Sequence, residues 1–124
     1  MSGLRATAVA VAEGIGALHR LTLGPGDELG GPDDVADVLA SLVLAVSRMP
    51  RLFGQLAAFL EVEHVQGAIG PGGPADVGEV RVRAVSEALY RASLDAETMA
   101  AALDAAQRAS AELAAAASRG RDGR

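Results

Sequence analysis

One segment of the sequence combines a carboxylate and an imidazole at a spacing that suits metal binding. Glu61 and His64 are separated by two residues, and on a helix this spacing places both side chains on one face, as metal sites in helical bundles require. Such a site needs a second copy of the motif, but the other histidine, His19, follows Gly16 rather than an acid at this spacing. We interpret the segment as an exposed acidic helix end and predict no metal and no other cofactor. A metal-dependent enzyme built on Glu61 and His64 is kept as a third hypothesis.

Other kinds of catalytic site lack residues that they need. Gly14-Ile15-Gly16 begins like a phosphate-binding glycine loop, but His19 occupies the sixth position and no strand precedes it. The chain has no Cys, no Lys and no Gly-x-Ser-x-Gly motif, so thiol nucleophiles, P-loops and serine-hydrolase elbows are absent from the sequence. We therefore predict that the protein is not an enzyme.

The arginines carry the remaining argument for nucleic-acid binding. Arg48 and Arg51 flank Pro50, which would be the corner of a helix-turn-helix, and Arg81 has no acidic residue four positions away. The net charge of -5 opposes general binding to phosphates, and the helix that follows Pro50 offers base edges little beyond Gln55. We interpret these arginines as solvated. A DNA-associated accessory regulator that uses Arg48, Arg51 and Arg81 is the alternative function.

Composition limits the size and the interior of the domain. A chain of 124 residues is long enough for one domain, and 27 of its residues are Ala, so few large side chains are available for a core. The absence of Cys and of a long apolar run predicts a cytoplasmic protein without disulfides or a transmembrane helix. Exclusive use of Arg as the basic residue, with abundant Ala and Gly, is typical of a GC-rich bacterial genome.

Apolar residues recur at helical spacing in the first half of the chain. The first predicted helix contains Gly14 and Gly16, which mark either a close helix crossing or a soft helix end. The second begins at Gly31 and Pro32, and Pro50 ends it or opens a third helix that frays near Gly67. The apolar stripes are Leu4, Ala8, Val11, Ile15 and Leu18 in the first helix, Val35, Leu39, Leu42, Val46 and Met49 in the second, and Leu52, Phe53, Leu56, Phe59 and Leu60 in the third.

The C-terminal part of the chain follows a heptad pattern after a predicted linker from Gly70 to Pro74. Three pairs of an acid and an arginine four residues apart favour helix over a short strand at residues 80–83; they are Glu79 with Arg83, Glu87 with Arg91, and Asp104 with Arg108. One long helix and two helices meeting near Ser93 remain equally open. The heptad seam comprises Val82, Val85, Leu89, Ala92, Ala96, Met99, Leu103, Ala106, Ser110, Leu113 and Ala117.

Together these patterns predict an all-α protein, an antiparallel bundle of four or five helices with a long Ala-rich C-terminal helix or helix pair. Residues 1–118 form one domain, and residues 119–124 form a disordered Arg- and Gly-rich tail. The lean core and the long seam favour a non-enzymatic interaction module that associates with itself or docks a helix of a partner protein. No membrane partner is expected. The predicted interaction residues are Leu89, Ala92, Met99, Leu103, Ala106 and Leu113.

Overall fold

The computed structural model describes residues 2–24, 29–65, 67 and 75–122, which contain three α-helices and no strand. Helix α1 spans Ser2–Leu21, α2 spans Pro32–Val65 and α3 spans Ala75–Asp122. The all-α class is confirmed, including helix at residues 80–83, but the predicted count of four or five helices is not, because the described residues contain three. The linker predicted from Gly70 to Pro74 lies outside the described residues.

The first reason for the lower count is that Pro50 lies inside α2. A proline within a helix lacks the amide that would donate to the carbonyl four residues earlier, here that of Val46. Its ring is half-buried, and the residues on both sides of it keep helical geometry, so the predicted second and third helices are one helix of 34 residues. Packing along the whole length of α2 offsets the missing hydrogen bond.

The second reason is that α3 continues without interruption through Ser93. The Ser93 hydroxyl donates a hydrogen bond to the carbonyl of Leu89 at 3.0 Å, so the side chain satisfies itself within the helix and does not cap a new one. Helix α3 therefore has 48 residues, about 72 Å at the usual rise. It extends to Asp122 and so includes part of the segment that composition predicts to be a disordered tail.

Glycine and acidic residues define the start of α2 as the sequence predicts. Gly31 accepts hydrogen bonds from the amides of Asp34 and Val35 at 3.1 and 3.4 Å, and Pro32 is the first helical residue. The Asp34 carboxylate reaches back to accept a hydrogen bond from the amide of Gly30 at 2.6 Å. At the other end, Gly67 has a φ of 78°, a left-handed conformation that favours glycine after a helix.

Helices α2 and α3 form an antiparallel hairpin. The end of α2 meets the beginning of α3, where the Ser86 hydroxyl donates to the Glu61 carboxylate at 3.0 Å. The beginning of α2 meets the far end of α3, where Gly31 and Pro32 lie beside Ala117 and Ser118. The hairpin thus uses nearly the whole of both helices.

Each helix of the hairpin buries one stripe of residues spaced alternately by three and four, which we call its contact stripe. This spacing is that of a coiled coil. In α2 the contact stripe comprises Ala36, Leu39, Val43, Val46, Pro50, Phe53, Ala57, Leu60 and His64. In α3 it comprises Val82, Ser86, Leu89, Ser93, Ala96, Ala100, Leu103, Gln107, Ser110, Ala114 and Ala117.

Helix α1 makes no contact with either helix of the hairpin in the part of the chain that the structure describes. Its predicted apolar stripe exists but is largely open to solvent, and Ile15 on it is 54% exposed. Nothing outside the helix approaches Gly14, and only the Arg20 side chain approaches Gly16, so these glycines do not mark a close helix crossing. Over the same described ranges, none of the helices is long and apolar enough to cross a membrane.

Candidate interaction surface

The heptad seam predicted in α3 divides between two faces of the helix. Leu89 and Leu103 belong to the contact stripe and are half-buried against α2, whereas Met99 is 47% exposed and Leu113 is 62% exposed. Each exposed member of the seam directly precedes a residue of the contact stripe. Its side chain is therefore rotated by about 100° around the helix axis from that of the contact residue. We call the residues at this position the outer stripe of α3. They are Val85, Ala88, Ala92, Asp95, Met99, Ala102, Ala106, Ala109, Leu113 and Ala116.

Helix α2 carries a second apolar stripe in the same relationship to its contact stripe. Each member is one residue before a contact residue, and all of them are apolar from Val35 to Phe59; the next such position, before His64, is Glu63. Phe59 is 62% exposed and Leu52 is 48% exposed, although both belong to residue types that proteins usually bury. This outer stripe of α2 comprises Val35, Val38, Leu42, Ala45, Met49, Leu52, Leu56 and Phe59.

The two outer stripes lie on the same side of the hairpin. Residues one position after a contact residue, Glu61 and Val65 on α2 and Arg83 on α3, line one shared groove. On each helix, a residue one position before a contact residue is rotated in the opposite direction to a residue one position after it. The preceding residues of α2 and α3 therefore lie together, on the side of the hairpin opposite this groove. We call the two outer stripes together the apolar face. It runs along about 36 Å of α2, from Val35 to Phe59.

The side of the hairpin that holds the Glu61 groove carries more polar residues, although Leu44, Val65, Tyr90 and Leu94 are also exposed there. It carries the hydrogen bond between Ser86 and Glu61 and an ion pair between Arg83 and Glu79 at 3.1 Å. A second pair joins Arg108 to Asp104 at 2.9 Å, and Glu87 and Arg91, both within the described residues, do not form the third predicted pair. Exposed pairs of this kind add little stability.

Glu61 and His64 line the same groove, but the structure does not bring His19 to them. Glu61 is engaged by Ser86, and the His64 ring packs against Gly78 of α3. His19 is exposed on α1, which does not contact the hairpin. Among the described residues, no group of three or more acidic or histidine side chains is placed to hold a metal ion.

The three candidate DNA-contacting arginines are all exposed, but they do not form the predicted motif. Because α2 is continuous through Pro50, Arg48 and Arg51 lie on one helix rather than at the corner of a helix-turn-helix. Arg81 lies near the start of the other helix of the hairpin. Its position is one residue before Val82, so it falls on the apolar side, away from Arg51, which follows the contact residue Pro50.

The predicted stripes contain most of the apolar face but mix its residues with those of the contact stripes. Six of the eight outer residues of α2 are among them: Val35, Leu42, Met49, Leu52, Leu56 and Phe59. The heptad pattern predicts a single seam in α3. The apolar residues of this helix instead cover a part of its circumference that is wide enough to contact two neighbouring helices. The break predicted at Pro50 concealed the outer stripe of α2, because Met49 and Leu52 were assigned to different helices. Spacing alone contains the signal, since Val35 to Phe59 alternate steps of three and four without interruption.

Comparison with known proteins adds no relative of this chain. No family model, no curated protein and no solved structure matches it.

Proposed function

We propose that this protein is a non-enzymatic helical interaction module that associates with itself through the apolar face. The observation that carries the proposal is the pair of outer stripes on one side of the hairpin, apolar from Val35 to Phe59 on α2 and broken only by Asp95 between Val85 and Ala116 on α3. Monomeric soluble proteins rarely leave an apolar surface of this extent open to water. The predicted interaction residues Ala92, Met99, Ala106 and Leu113 belong to this face. Leu89 and Leu103 support it from inside the hairpin.

The amount of exposed surface supports the same proposal. The chain exposes 9169 Å², whereas a compact monomer of its mass, 12.5 kDa, exposes about 6,200 Å². Only four hydrophobic side chains among the described residues are buried, and two of them are alanines: Ala36, Val46, Val82 and Ala96. Burial of apolar area is the main source of folding free energy, so covering the apolar face would stabilise the protein. Part of the excess area belongs to α1, whose apolar residues are also exposed.

We assign the module to the bacterial cytoplasm. This rests on the residue usage of the chain, which has no Cys and only Arg as its strongly basic residue.

The solution mass of the protein and of two matched variants tests the proposal. Leu52 on the apolar face and Leu44 on the side of the Glu61 groove are exposed to similar extents, 48% and 56%, on the same helix. Leu52→Asp places a charge on the proposed interface, and Leu44→Asp places the same charge outside it. Light scattering on a sizing column over a wide concentration range reports the mass of each.

We expect a mass of about 25 kDa or a higher multiple of the 12.5 kDa chain for the unmodified protein and for Leu44→Asp. Leu52→Asp is expected to shift to 12.5 kDa with its helix content retained, because an unpaired carboxylate is costly to bury at an interface. A 12.5 kDa mass for the unmodified protein at every concentration would overturn the proposal. Equal behaviour of the two variants would overturn the assignment of the apolar face.

A further inference from the structure

We infer that the occupant of the apolar face is the hairpin of a second copy, with α2 of each copy packed against α3 of the other in an antiparallel four-helix bundle. The inference rests on the proposed function and specifies its geometry. Four features of the described residues support it: the angle between the stripes, the sizes of the side chains, the area of the face and the placement of two charges.

The angle between the stripes fits four helices rather than three. On both α2 and α3, the outer stripe is turned by about 100° from the contact stripe, because it precedes it by one residue. In a square bundle of four helices, each helix meets its two neighbours in directions about 90° apart, against about 60° in a bundle of three. A single added helix, such as α1, therefore fits the face less well than a second hairpin does.

Side-chain size favours contact between unlike helices. The outer stripe of α2 consists mainly of large residues, and that of α3 consists mainly of alanine. Glu61 and Ser86 are hydrogen-bonded, so they lie at the same height along the hairpin. Because the two helices are antiparallel, residues the same number of positions before Glu61 and after Ser86 also lie at one height, which we call level. Phe59 is thus level with Ala88, and Val38 is level with Ala109. A two-fold axis parallel to the helices keeps these levels, so Phe59 and Val38 of one copy face alanines of the other. By the same count Ala45 faces Ala102, and Met49 lies beside Met99.

The area of the face matches what a stable dimer buries. A length of about 36 Å and a width of two helices, about 20 Å, give roughly 700 Å² on each copy. Stable protein interfaces bury about 800 Å² on each partner. The face is therefore close to the usual size without any contribution from α1.

The placement of charge agrees with the same pairing. Between Val85 and Ala116, Asp95 is the one charged residue of the outer stripe of α3, and it is level with Leu52 of α2. Arg81 lies at the same helical position, before this range. Arg48 lies one helical turn from Leu52 and is exposed. In the proposed dimer the guanidinium of Arg48 in one copy is within reach of the Asp95 carboxylate in the other, which avoids an unpaired charge at the interface.

Disulfide trapping between two single-cysteine variants tests the inference in the full chain. The chain has no cysteine of its own, so only introduced thiols can react. Phe59→Cys and Ala88→Cys are prepared separately, mixed, allowed to exchange subunits and oxidised. A disulfide requires the two Cα atoms to lie within about 7 Å, so trapping reports direct neighbours. Leu44→Cys mixed with Ala88→Cys is the matched control.

We expect the mixture to give a covalent dimer joined through positions 59 and 88, identified by mass spectrometry of the linked peptides, and the control mixture to give none. Disulfides that join 59 to 59 or 88 to 88 would overturn the inference, since like helices would then be neighbours. A 25 kDa species that does not form the mixed disulfide and becomes 12.5 kDa in Ile15→Asp would assign the face to α1 and overturn the inference while leaving the proposed function intact. A monomeric unmodified protein would overturn both.

Discussion

The imidazole of His64 on α2 lies directly against the backbone of Gly78 on α3. A Cβ atom at position 78 would come within 3.2 Å of the His64 Cε1 atom and 3.4 Å of its Nδ1 atom. The same Nδ1 atom is buried and has no hydrogen-bond partner in the described part of the chain. A glycine at this position therefore lets the two helices approach closely where α2 ends and α3 begins.

The first prediction is that Gly78→Ala destabilises the protein although it removes a glycine from a helix. Replacing a helical glycine by alanine normally gains about 1 kcal/mol, but crowding in a packed interface costs about 1–3 kcal/mol. We expect the free energy of unfolding to fall by about 1 kcal/mol, measured by urea denaturation followed by circular dichroism.

Gly54→Ala is the control for this prediction. Gly54 lies inside α2 with nothing near its missing Cβ, so alanine is expected to raise the free energy of unfolding by about 0.5–1 kcal/mol. In a His64→Ala background, Gly78→Ala is expected to become stabilising as well. Destabilisation by Gly78→Ala that persists in that background would contradict the proposed contact.

The second prediction separates two residues that the sequence places on one seam. Leu103 is half-buried against α2, whereas Met99 is 47% exposed on the apolar face. Leu103→Asp is expected to cost about 2–4 kcal/mol of hairpin stability, because it puts an unpaired carboxylate between the helices. Met99→Asp is expected to keep the helix content and to lower the solution mass.

Circular dichroism and light scattering on the same samples check both effects. Tyr90→Asp is a suitable control, since Tyr90 is exposed on α3 one position after Leu89 and thus on the side of the Glu61 groove. It is expected to change neither the helix content nor the mass. The interpretation fails if Leu103→Asp keeps its helices while Met99→Asp unfolds.

The third prediction concerns the proline inside α2. Pro50 removes one backbone hydrogen bond from the middle of a 34-residue helix, a loss that costs about 3 kcal/mol in an unsupported helix. Alanine restores the amide but gives up part of the buried ring, so we expect Pro50→Ala to raise the free energy of unfolding by about 1–2 kcal/mol. Pro32→Ala, at the first position of the same helix, should change it by less than about 0.5 kcal/mol, because that amide has no partner within the helix. Equal effects of the two substitutions would show that residue 50 is not helical in solution.

The sequence predicted local features better than the number of helices. The all-α class, the start of α2 at Gly31 and Pro32, and the glycine that follows its end all depend on residues within one turn of each other. Pro50 was misjudged because tertiary packing outweighs a local preference when a helix is supported by a partner along its whole length. Ser93 was ambiguous for a related reason, since a serine that caps a helix can equally bond to the carbonyl four residues before it.

The face that α3 turns toward α2 was not predictable from hydrophobicity. The contact stripe includes Ser86, Ser93 and Gln107, while the larger apolar residues Val85 and Met99 stay outside. When two apolar stripes lie about 100° apart on a helix, the sequence pattern shows only one broad apolar face. The spacing of the residues cannot tell which stripe packs against which neighbouring helix. Only the position of α2 separates them.

The last prediction concerns the arginines and nucleic acid. Arg48 and Arg51 are exposed on a continuous helix without the turn that places a recognition helix in a groove, and the chain carries a net charge of -5. Since binding to phosphates needs a concentrated basic surface, we expect no retention of the protein on double-stranded DNA even at low salt. An Arg48→Ala/Arg51→Ala variant is expected to elute at the same position as the unmodified protein. Retention of the unmodified protein that is lost in this variant, and kept in an Arg91→Ala control, would instead favour the DNA-associated regulator.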